Sequence, residues 1–117
     1  MSHLKKILTR EKNCKSIWFM RQAGRYLPEF RKIRSSNTNF IELCLNSKLS
    51  SEITLQPIKR FDLDSAIIFS DILMVPYALG QKIKFIKNEG PILSDFNLEN
   101  FLDNNQVSFT KNLEPVY

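Results

Sequence analysis

The stretch Ser65-Ala66-Ile67-Ile68-Phe69-Ser70 is a compact apolar run without alternation, and an acidic residue, Asp71, follows it directly. A short apolar run of this kind is typical of a strand that is buried on both faces of a parallel sheet. A second run, Ile17-Trp18-Phe19-Met20, has the same character and predicts a second buried strand. Helical patterns separate and follow these runs, so the sequence predicts an α/β fold with parallel strands.

Working outward from these runs, the pattern predicts five helices. They are a weak helix over residues 3–12, a helix after a cap at Asn37, Thr38 or Asn39, a helix from Ser47 that Pro57 limits or kinks, a short helix over Ile72–Leu79, and a surface helix over Asn97–Gln106. Gln81–Lys87 alternates and predicts a half-exposed strand, and Gly90-Pro91 predicts a turn. Arg21–Arg34 is predicted as a loop with a helical turn after Pro28.

The length of the chain limits how much of such a fold it can contain. One strand–helix–strand unit needs about 30 residues or more, and a closed eight-fold barrel takes about 250. The sequence has 117 residues, which suffice for roughly three such steps. We therefore expect residues 1–117 to form an N-terminal portion of a single barrel domain.

The positive charge is concentrated near the N-terminus. Residues 1–34 carry a net charge of +8, whereas residues 35–117 carry −3. This asymmetry predicts an anionic partner for the N-terminal segment, and charge by itself fits either a nucleic acid or a small polycarboxylate. Basic and aromatic residues interleave over 18–34, but no RNP-like, helix-turn-helix or zinc motif accompanies them, so nucleic-acid binding is disfavoured.

The cysteines, the histidine and the apolar segments exclude several other classes. Cys14 and Cys44 lie far apart and the single histidine is His3, so a structural zinc site is not expected, and both cysteines are expected to be reduced and buried. The longest apolar region, 66–79, is interrupted by Ser70, Asp71 and Pro76 and cannot span a bilayer. We expect a soluble protein of the reducing cytoplasm.

The loop Arg21-Gln22-Ala23-Gly24-Arg25, directly after the first predicted strand, is the first candidate site. A guanidinium group matches a carboxylate or phosphate with two hydrogen bonds. Two such groups beside a glycine-containing loop can hold two anionic groups, and backbone N–H groups can contribute. The alternative, which the spacing leaves open, is a solvated basic loop.

Asp71 is the second candidate, because it follows the most apolar predicted strand. In parallel α/β folds the carboxyl ends of the strands face the active-site mouth, where an acid can meet a cationic or N–H-rich ligand. The alternative is that Asp71 caps the helix predicted from Ile72. Both roles are compatible only if backbone N–H groups do not use the whole carboxylate.

Three blocks of the sequence resemble the uroporphyrinogen decarboxylase family in order and spacing. The first runs from Trp18 to Arg31 (WFMRQAGRYLPEFR), the second from Glu52 to Phe61 (EITLQPIKRF) and the third from Asp64 to Leu73 (DSAIIFSDIL). Pro76, Ala78-Leu-Gly80 and Glu89-Gly-Pro91 continue the likeness. Repeated blocks of this length are far more specific than a lone glycine pattern.

The resemblance implies a (β/α)₈ TIM barrel that acts as a homodimer without metal or organic cofactor. Its reaction would be the decarboxylation of the four acetate side chains of uroporphyrinogen III to give coproporphyrinogen III. By resemblance, Arg21 and Arg25 bind substrate carboxylates, the backbone of Gln22, Ala23 and Gly24 lines the site, and Phe30 and Arg34 lie near the pocket. Asp71 would face the centre of the macrocycle and accept hydrogen bonds from pyrrole N–H groups.

The sequence departs from the family mainly in length. The family's later pocket residues, among them a tyrosine, a serine and a histidine, come from segments that would follow residue 117, so we expect this chain to need a missing C-terminal part for activity. Asp62 and Ser65 are minor departures. The alternatives are a truncated, non-catalytic remnant and a small polyanion-binding protein, while the Arg21–Arg25 block argues against the related cobalamin-linked methyltransferases.

Overall fold

The computed structural model describes residues 3–10, 17–86, 89–95, 98–99 and 106–117. The chain divides into two compact units. Unit 1 comprises residues 1–38 and 48–69, and unit 2 comprises residues 39–47 and 70–117. Cys14 lies outside the described residues. Most of the predicted helix over Asn97–Gln106 also lies outside them, since only residues 98–99 and Gln106 of that range are described.

Unit 1 is helical and is built around a small apolar core. Its helices are α1 (His3–Leu8), α2 (Pro28–Ser36) and the part of α4 (Ser47–Phe61) from Lys48 onward. Pro28 stands in the first turn of α2, where a missing N–H costs nothing. The buried side chains come from the start of α2 and from one face of α4, and include Leu27, Phe30, Ile53 and Pro57.

Unit 2 combines short helices with a hairpin. Its helices are α3 (Phe40–Leu45), α5 (Met74–Ala78) and α6 (Gln106–Leu113), which is followed by a 3₁₀ turn over Glu114–Val116. Helix α6 packs against α5, and the side chain of Asn112 donates a hydrogen bond of 3.1 Å to the carbonyl of Ala78. The core residues are Leu43, Cys44, Met74, Ala78 and Leu113.

The sheet of the described residues is an antiparallel pair of strands, and no parallel pair occurs among those residues. Strand β1 (Ile83–Ile86) pairs with β2 (Gly90–Leu93), with Ile83 opposite Leu93 and Ile86 opposite Gly90. Three residues link the two strands, whereas a parallel crossover needs a dozen or more. The prediction of β1 is confirmed. Gly90-Pro91 was predicted as a turn, but it begins β2, and the turn precedes it.

The two predicted buried strands are absent from the described residues. Ile17–Met20 forms neither helix nor strand, and its four side chains are 55% to 81% exposed. Ser65–Ser70 also forms no strand, and Ile68 is 64% exposed. A strand requires a neighbouring backbone that pairs its N–H and C=O groups. Within the described ranges no backbone segment pairs with either run.

Polar side chains replace a neighbouring strand along one edge of residues 65–69. Gln22 pairs with the carbonyl of Ser65 and the N–H of Ile67. The hydroxyl of Thr54 accepts a hydrogen bond of 2.8 Å from the N–H of Phe69, and the hydroxyl of Ser50 donates one of 2.6 Å to the Phe69 carbonyl. The apolar run is therefore held by side chains of α4 and of the loop before α2.

The local helix predictions agree better with the structure. Asn39 caps α3, because its side-chain oxygen accepts hydrogen bonds from the N–H groups of Ile41 and Glu42. Helix α4 begins at Ser47 and continues through Pro57 to Phe61, so Pro57 does not end it. The predicted helix over Ile72–Leu79 is shorter, and the predicted single turn after Pro28 is the nine-residue helix α2. No helix of the described ranges is both long and apolar enough to cross a membrane.

An ion pair joins α2 to the C-terminal end of α4. The guanidinium of Arg60 donates two hydrogen bonds of 2.8 Å to the two carboxylate oxygens of Glu29. These hydrogen bonds lower the pKa of Glu29 below its ordinary value of 4.5 and raise the pKa of Arg60. Because the pair is exposed to solvent, its contribution to stability is small.

We expect the Glu29→Gln variant to lose part of the acid sensitivity of unfolding. A carboxyl whose pKa is lowered by folding contributes stability above its unfolded pKa, near 4.5, and loses that contribution as the pH falls through the folded pKa. Urea unfolding of both proteins between neutral pH and pH 3 should show that wild type has the larger free energy of unfolding at neutral pH and that this difference shrinks on acidification. Glu52→Gln, an exposed carboxylate on α4, is the control. An equal pH dependence for wild type and Glu29→Gln would contradict this role.

Candidate substrate site

The Arg21–Arg25 loop makes a tight turn that leads into α2. The N–H of Leu27 donates a hydrogen bond of 3.0 Å to the carbonyl of Gly24, and the Tyr26 hydroxyl donates one to the carbonyl of Gln22. Gly24 has a φ of +155°, which side-chain-bearing residues rarely adopt. A glycine at this position therefore lets the loop return its chain toward α2, with Ala23 and Gly24 half-buried.

Gln22 fixes the loop to the 65–67 segment. Its side chain is only 5% exposed. Its Nε2 donates to the carbonyl of Ser65 at 3.3 Å, and its Oε1 accepts from the N–H of Ile67 at 2.8 Å. Because one side-chain amide bonds to both backbone groups, Gln22 holds the loop in place. Arg21 and Arg25, on either side of it in the loop, are both exposed.

Arg21 lines a pocket of about 370 Å³ whose other walls are mostly apolar. The walls are formed by Phe19, Gln22, Tyr26, Phe61 and Leu63. The rings of Tyr26 and Phe61 are stacked, with centroids 6.5 Å apart and planes inclined by 20°. A cation beside flat aromatic walls suits a ligand that combines an unsaturated ring with a carboxylate, because guanidinium groups bind carboxylates and rings stack on aromatic faces.

Arg25 is exposed and lies at the turn of the loop. Its carbonyl accepts a hydrogen bond of 2.8 Å from Arg31, whose guanidinium also donates to the carbonyl of Tyr26 at 3.1 Å. Arg31 thus holds the backbone of the loop while the side chain of Arg25 projects into solvent. In the part of the chain that the structure describes, the guanidinium groups of Arg21 and Arg25 have no hydrogen-bond or ion-pair partner, so both can bind an incoming anion.

Phe30 and Arg34, both on α2, have structural contacts. Phe30 is buried in the core of unit 1, where its ring meets that of Phe69 edge to face at a centroid distance of 5.6 Å. The guanidinium of Arg34 donates to the carbonyls of Asn37 and, at 2.8 Å, Thr38. These bonds satisfy carbonyls just beyond the C-terminus of α2. A role of either residue in substrate binding remains a prediction.

Asp71 precedes α5 and uses one carboxylate oxygen locally. Its Oδ1 accepts a hydrogen bond of 2.9 Å from the N–H of Leu73, and its carbonyl accepts one from the N–H of Met74. Helix α5 begins at Met74 and not at Ile72, so the carboxylate stabilises the turn before the helix. Among the described residues nothing bonds to the second oxygen, Oδ2. Backbone N–H groups therefore do not occupy the whole carboxylate, and Oδ2 can accept a hydrogen bond from a ligand.

The structure brings the predicted arginines together with Gln22, Ala23, Gly24, Phe30 and Arg34 in unit 1, whereas Asp71 belongs to unit 2. Sequence reasoning missed the pocket walls Tyr26, Phe61 and Leu63. Tyr26 lies within the quoted block, but the contribution of Phe61 and Leu63 depends on how α4 returns to the loop. Among the described residues, no group of three or more His, Cys, Asp or Glu is placed to hold a metal ion.

Comparisons with known proteins agree on one family. The profile of the family described as Uroporphyrinogen decarboxylase (URO-D) matches residues 4–117. The chain is 49% identical over 110 residues to a uroporphyrinogen decarboxylase of Rickettsia felis, and 50% identical over 101 residues to that of Rickettsia rickettsii strain Sheila Smith. These alignments cover 94% and 86% of this chain but 32% and 29% of the relatives.

A relative from Acidiphilium cryptum, also named uroporphyrinogen decarboxylase, is 60% identical over 77 residues. That alignment covers 66% of this chain and 22% of the relative. The chain thus spans a third or less of the length of the curated relatives that it matches.

Proposed function

Because the chain belongs to the uroporphyrinogen decarboxylase family, we propose that it supplies the carboxylate-binding N-terminal part of an enzyme that decarboxylates the four acetate side chains of uroporphyrinogen III. The product would be coproporphyrinogen III, on the route to haem. The rest of the protein would have to come from sequence equivalent to the remaining part of the relatives. We do not expect this chain to turn over substrate by itself.

The pocket beside Arg21 is the observation that carries this proposal. It places a guanidinium group without a described partner next to apolar and aromatic walls, and Arg25 follows on the same loop. Uroporphyrinogen combines pyrrole rings with eight carboxylates, so it offers both features that the pocket fits. The net charge of +8 over residues 1–34 adds long-range attraction for such a polyanion.

The chemistry requires a place for the electrons that carbon dioxide leaves behind. Protonation of a pyrrole ring makes it an electron acceptor, so the bond between the acetate methylene and its carboxylate carbon can break with its electron pair moving into the ring. Carbon dioxide leaves, the methylene carbon takes a proton to become a methyl group, and the ring then gives up the proton that it first gained, so that one proton is consumed for each carbon dioxide released. Arginines that bind neighbouring carboxylates would hold the reacting acetate in the orientation that the reaction needs.

Asp71 would stabilise the ring cation in this scheme. One carboxylate oxygen is used by Leu73, and the second is available to accept pyrrole N–H groups. A fixed negative charge below the ring stabilises the cationic transition state more than the neutral substrate, which raises the rate rather than the affinity. The role requires Asp71 and the two arginines to contact one macrocycle in the assembled enzyme.

The same proposal includes the architecture and assembly of the complete protein. We propose that the chain forms part of a (β/α)₈ barrel in a cytoplasmic homodimer that uses neither metal nor organic cofactor and binds neither nucleic acid nor membrane. The helix-rich organisation of unit 1 is compatible with such a fold. The described residues contain both helices and strands, as an α/β fold requires.

A chimera provides the direct test of the proposed function. This chain would replace the matching segment of the Rickettsia felis decarboxylase, and the purified chimera would be incubated anaerobically with uroporphyrinogen III. Chromatography of the oxidised products should show loss of carboxylates down to the four of coproporphyrin. A folded chimera that binds uroporphyrinogen but forms no decarboxylated product, when the parent enzyme does, would reject the proposal.

We expect Arg25→Ala in the chimera to weaken uroporphyrinogen binding by roughly 1.5–3 kcal/mol, which is the usual contribution of a hydrogen bond to a charged group. The backbone should be unaffected, because the Arg25 side chain is exposed and makes no hydrogen bond or ion pair with the described residues. Affinity would be measured by titration calorimetry. Lys32→Ala removes an exposed charge from α2 and is the matched control. Equal losses in both variants would indicate a general charge effect and contradict a specific contact.

A further inference from the structure

Arg31 lies in the first turn of α2, and its guanidinium reaches back to the loop that carries Arg25. Its Nη1 donates hydrogen bonds of 2.8 Å to the carbonyl of Arg25 and of 3.1 Å to the carbonyl of Tyr26. Among the described residues no other group donates to either carbonyl. The backbone N–H of Arg31 bonds to the carbonyl of the buried Leu27, so the helix that holds the loop is itself fixed to the core.

The turn before α2 leaves these two carbonyls to be held from outside. It is closed by the hydrogen bond that the N–H of Leu27 donates to the carbonyl of Gly24, and its central residues are Arg25 and Tyr26. A closing bond of this kind uses only the two outer residues. The peptide group between the central residues can therefore still rotate, which is how the types of β-turn differ. Such a rotation would turn the Arg25 carbonyl away from Arg31 and change the direction of the loop at Arg25.

Arg25 depends on this contact more than its neighbour Tyr26 does. The Tyr26 ring is held by stacking on Phe61 and by the hydrogen bond of its hydroxyl to the carbonyl of Gln22. The Arg25 side chain is exposed and makes no hydrogen bond or ion pair with the described residues. The direction in which it leaves the loop is therefore set by its backbone, whose carbonyl Arg31 holds.

We propose that Arg31 is a positioning residue for Arg25, and that it fixes the loop so that the Arg25 guanidinium meets a substrate carboxylate without first having to be ordered. This inference rests on the proposed function, in which Arg25 binds a carboxylate of uroporphyrinogen. A binding group whose backbone is already fixed loses less conformational freedom when the ligand arrives, so the affinity is higher. Arg31 acts on the substrate through Arg25 and does not contact it.

Hydrogen exchange of the Leu27 amide tests the contact without substrate. Arg31→Met removes the N–H donors and keeps an unbranched side chain. In the purified chain we expect this amide, followed by nuclear magnetic resonance, to exchange about threefold faster or more in Arg31→Met, because the turn that it closes opens more often. Lys32→Met removes the same charge from α2 and should leave the rate unchanged. An equal exchange rate in wild type and Arg31→Met would overturn the proposal.

A double-mutant cycle in the chimera tests the connection to the substrate. We expect Arg31→Met to weaken uroporphyrinogen binding about fivefold by titration calorimetry, a factor within the usual cost of ordering one long side chain. The same change added to Arg25→Ala should weaken binding no further, because no Arg25 side chain is left to position. Lys32→Met, the control, should have the same small effect with and without Arg25.

The cycle also separates failure of this role from failure of the substrate contact. Equal factors for Arg31→Met with and without the Arg25 side chain would reject the positioning role alone, since Arg31 would then bind the carboxylate itself or act only by its charge. If Arg25→Ala leaves the affinity unchanged, the carboxylate contact that the proposed function assigns to Arg25 fails, and the role of Arg31 fails with it.

Discussion

Asp71→Asn in the chimera is expected to lower kcat by about 100-fold to 1,000-fold, the usual cost of removing one preorganised electrostatic group from an active site, while the affinity for uroporphyrinogen changes little. The physical reason is that the negative charge acts on the ring cation of the transition state. The neutral substrate has no such charge and gains much less from the carboxylate. Steady-state kinetics and calorimetric binding of the same variant separate the two quantities.

Asparagine is the informative replacement because it preserves the local structure. Its side-chain oxygen can still accept the hydrogen bond that Leu73 donates to Asp71, so the turn before α5 is retained. Asp71→Ala loses both the charge and this hydrogen bond. If Asp71 only stabilises the turn, then Asp71→Asn will retain full kcat and Asp71→Ala will lose stability. That outcome would remove Asp71 from the proposed mechanism.

Short-range features of this chain were predictable from its sequence. The cap at Asn39 was anticipated because a capping side chain reaches N–H groups only two or three residues away. The burial of Leu43 and Cys44 follows from the helical spacing of apolar residues after this cap. For Asp71, the sequence predicted either a ligand contact or a cap of a helix that begins at Ile72, but the helix begins at Met74, and the carboxylate accepts a hydrogen bond from Leu73 in the turn before it.

Long-range pairing was not predictable in the same way. The apolar runs at Ile17–Met20 and Ser65–Ser70 have the composition of buried strands, but composition does not supply the neighbouring backbone that a strand needs. The second run is instead held along one edge by Gln22, Ser50 and Thr54. Nothing in the spacing of these three polar residues identifies their partners, which lie between 15 and 45 positions away.

The candidate site shows the same division between local and distant information. The arginines of the loop were identifiable from residue type and from the family resemblance. The aromatic wall of the pocket was not, because Phe61 meets Tyr26 only after α4 has returned to the loop. Likewise, Gln22 was assigned to the site for its backbone, whereas its buried side chain joins two segments of unit 1.

The connecting role of Gln22 leads to a large expected effect on stability. We expect Gln22→Leu to lower the free energy of unfolding by about 2 kcal/mol, because a backbone group left without a hydrogen-bond partner costs about 1–3 kcal/mol when it is buried, and the substitution leaves two such groups that are part-buried. The carbonyl of Ser65 and the N–H of Ile67 are the groups affected. Leucine has a similar size, so the loss is mainly one of hydrogen bonding and not of volume.

Urea unfolding of the chain, monitored by far-UV circular dichroism, would measure this effect. Gln81→Leu is the matched control, since Gln81 also donates its side-chain amide to a distant carbonyl, that of Ser94 at 3.1 Å, but at an exposed position. Water can replace that bond, so the control should change stability by less than about 1 kcal/mol. Equal stabilities of Gln22→Leu and wild type would mean that water reaches Ser65 and Ile67. The loop between the two arginines would then lack the anchor on which its proposed function depends.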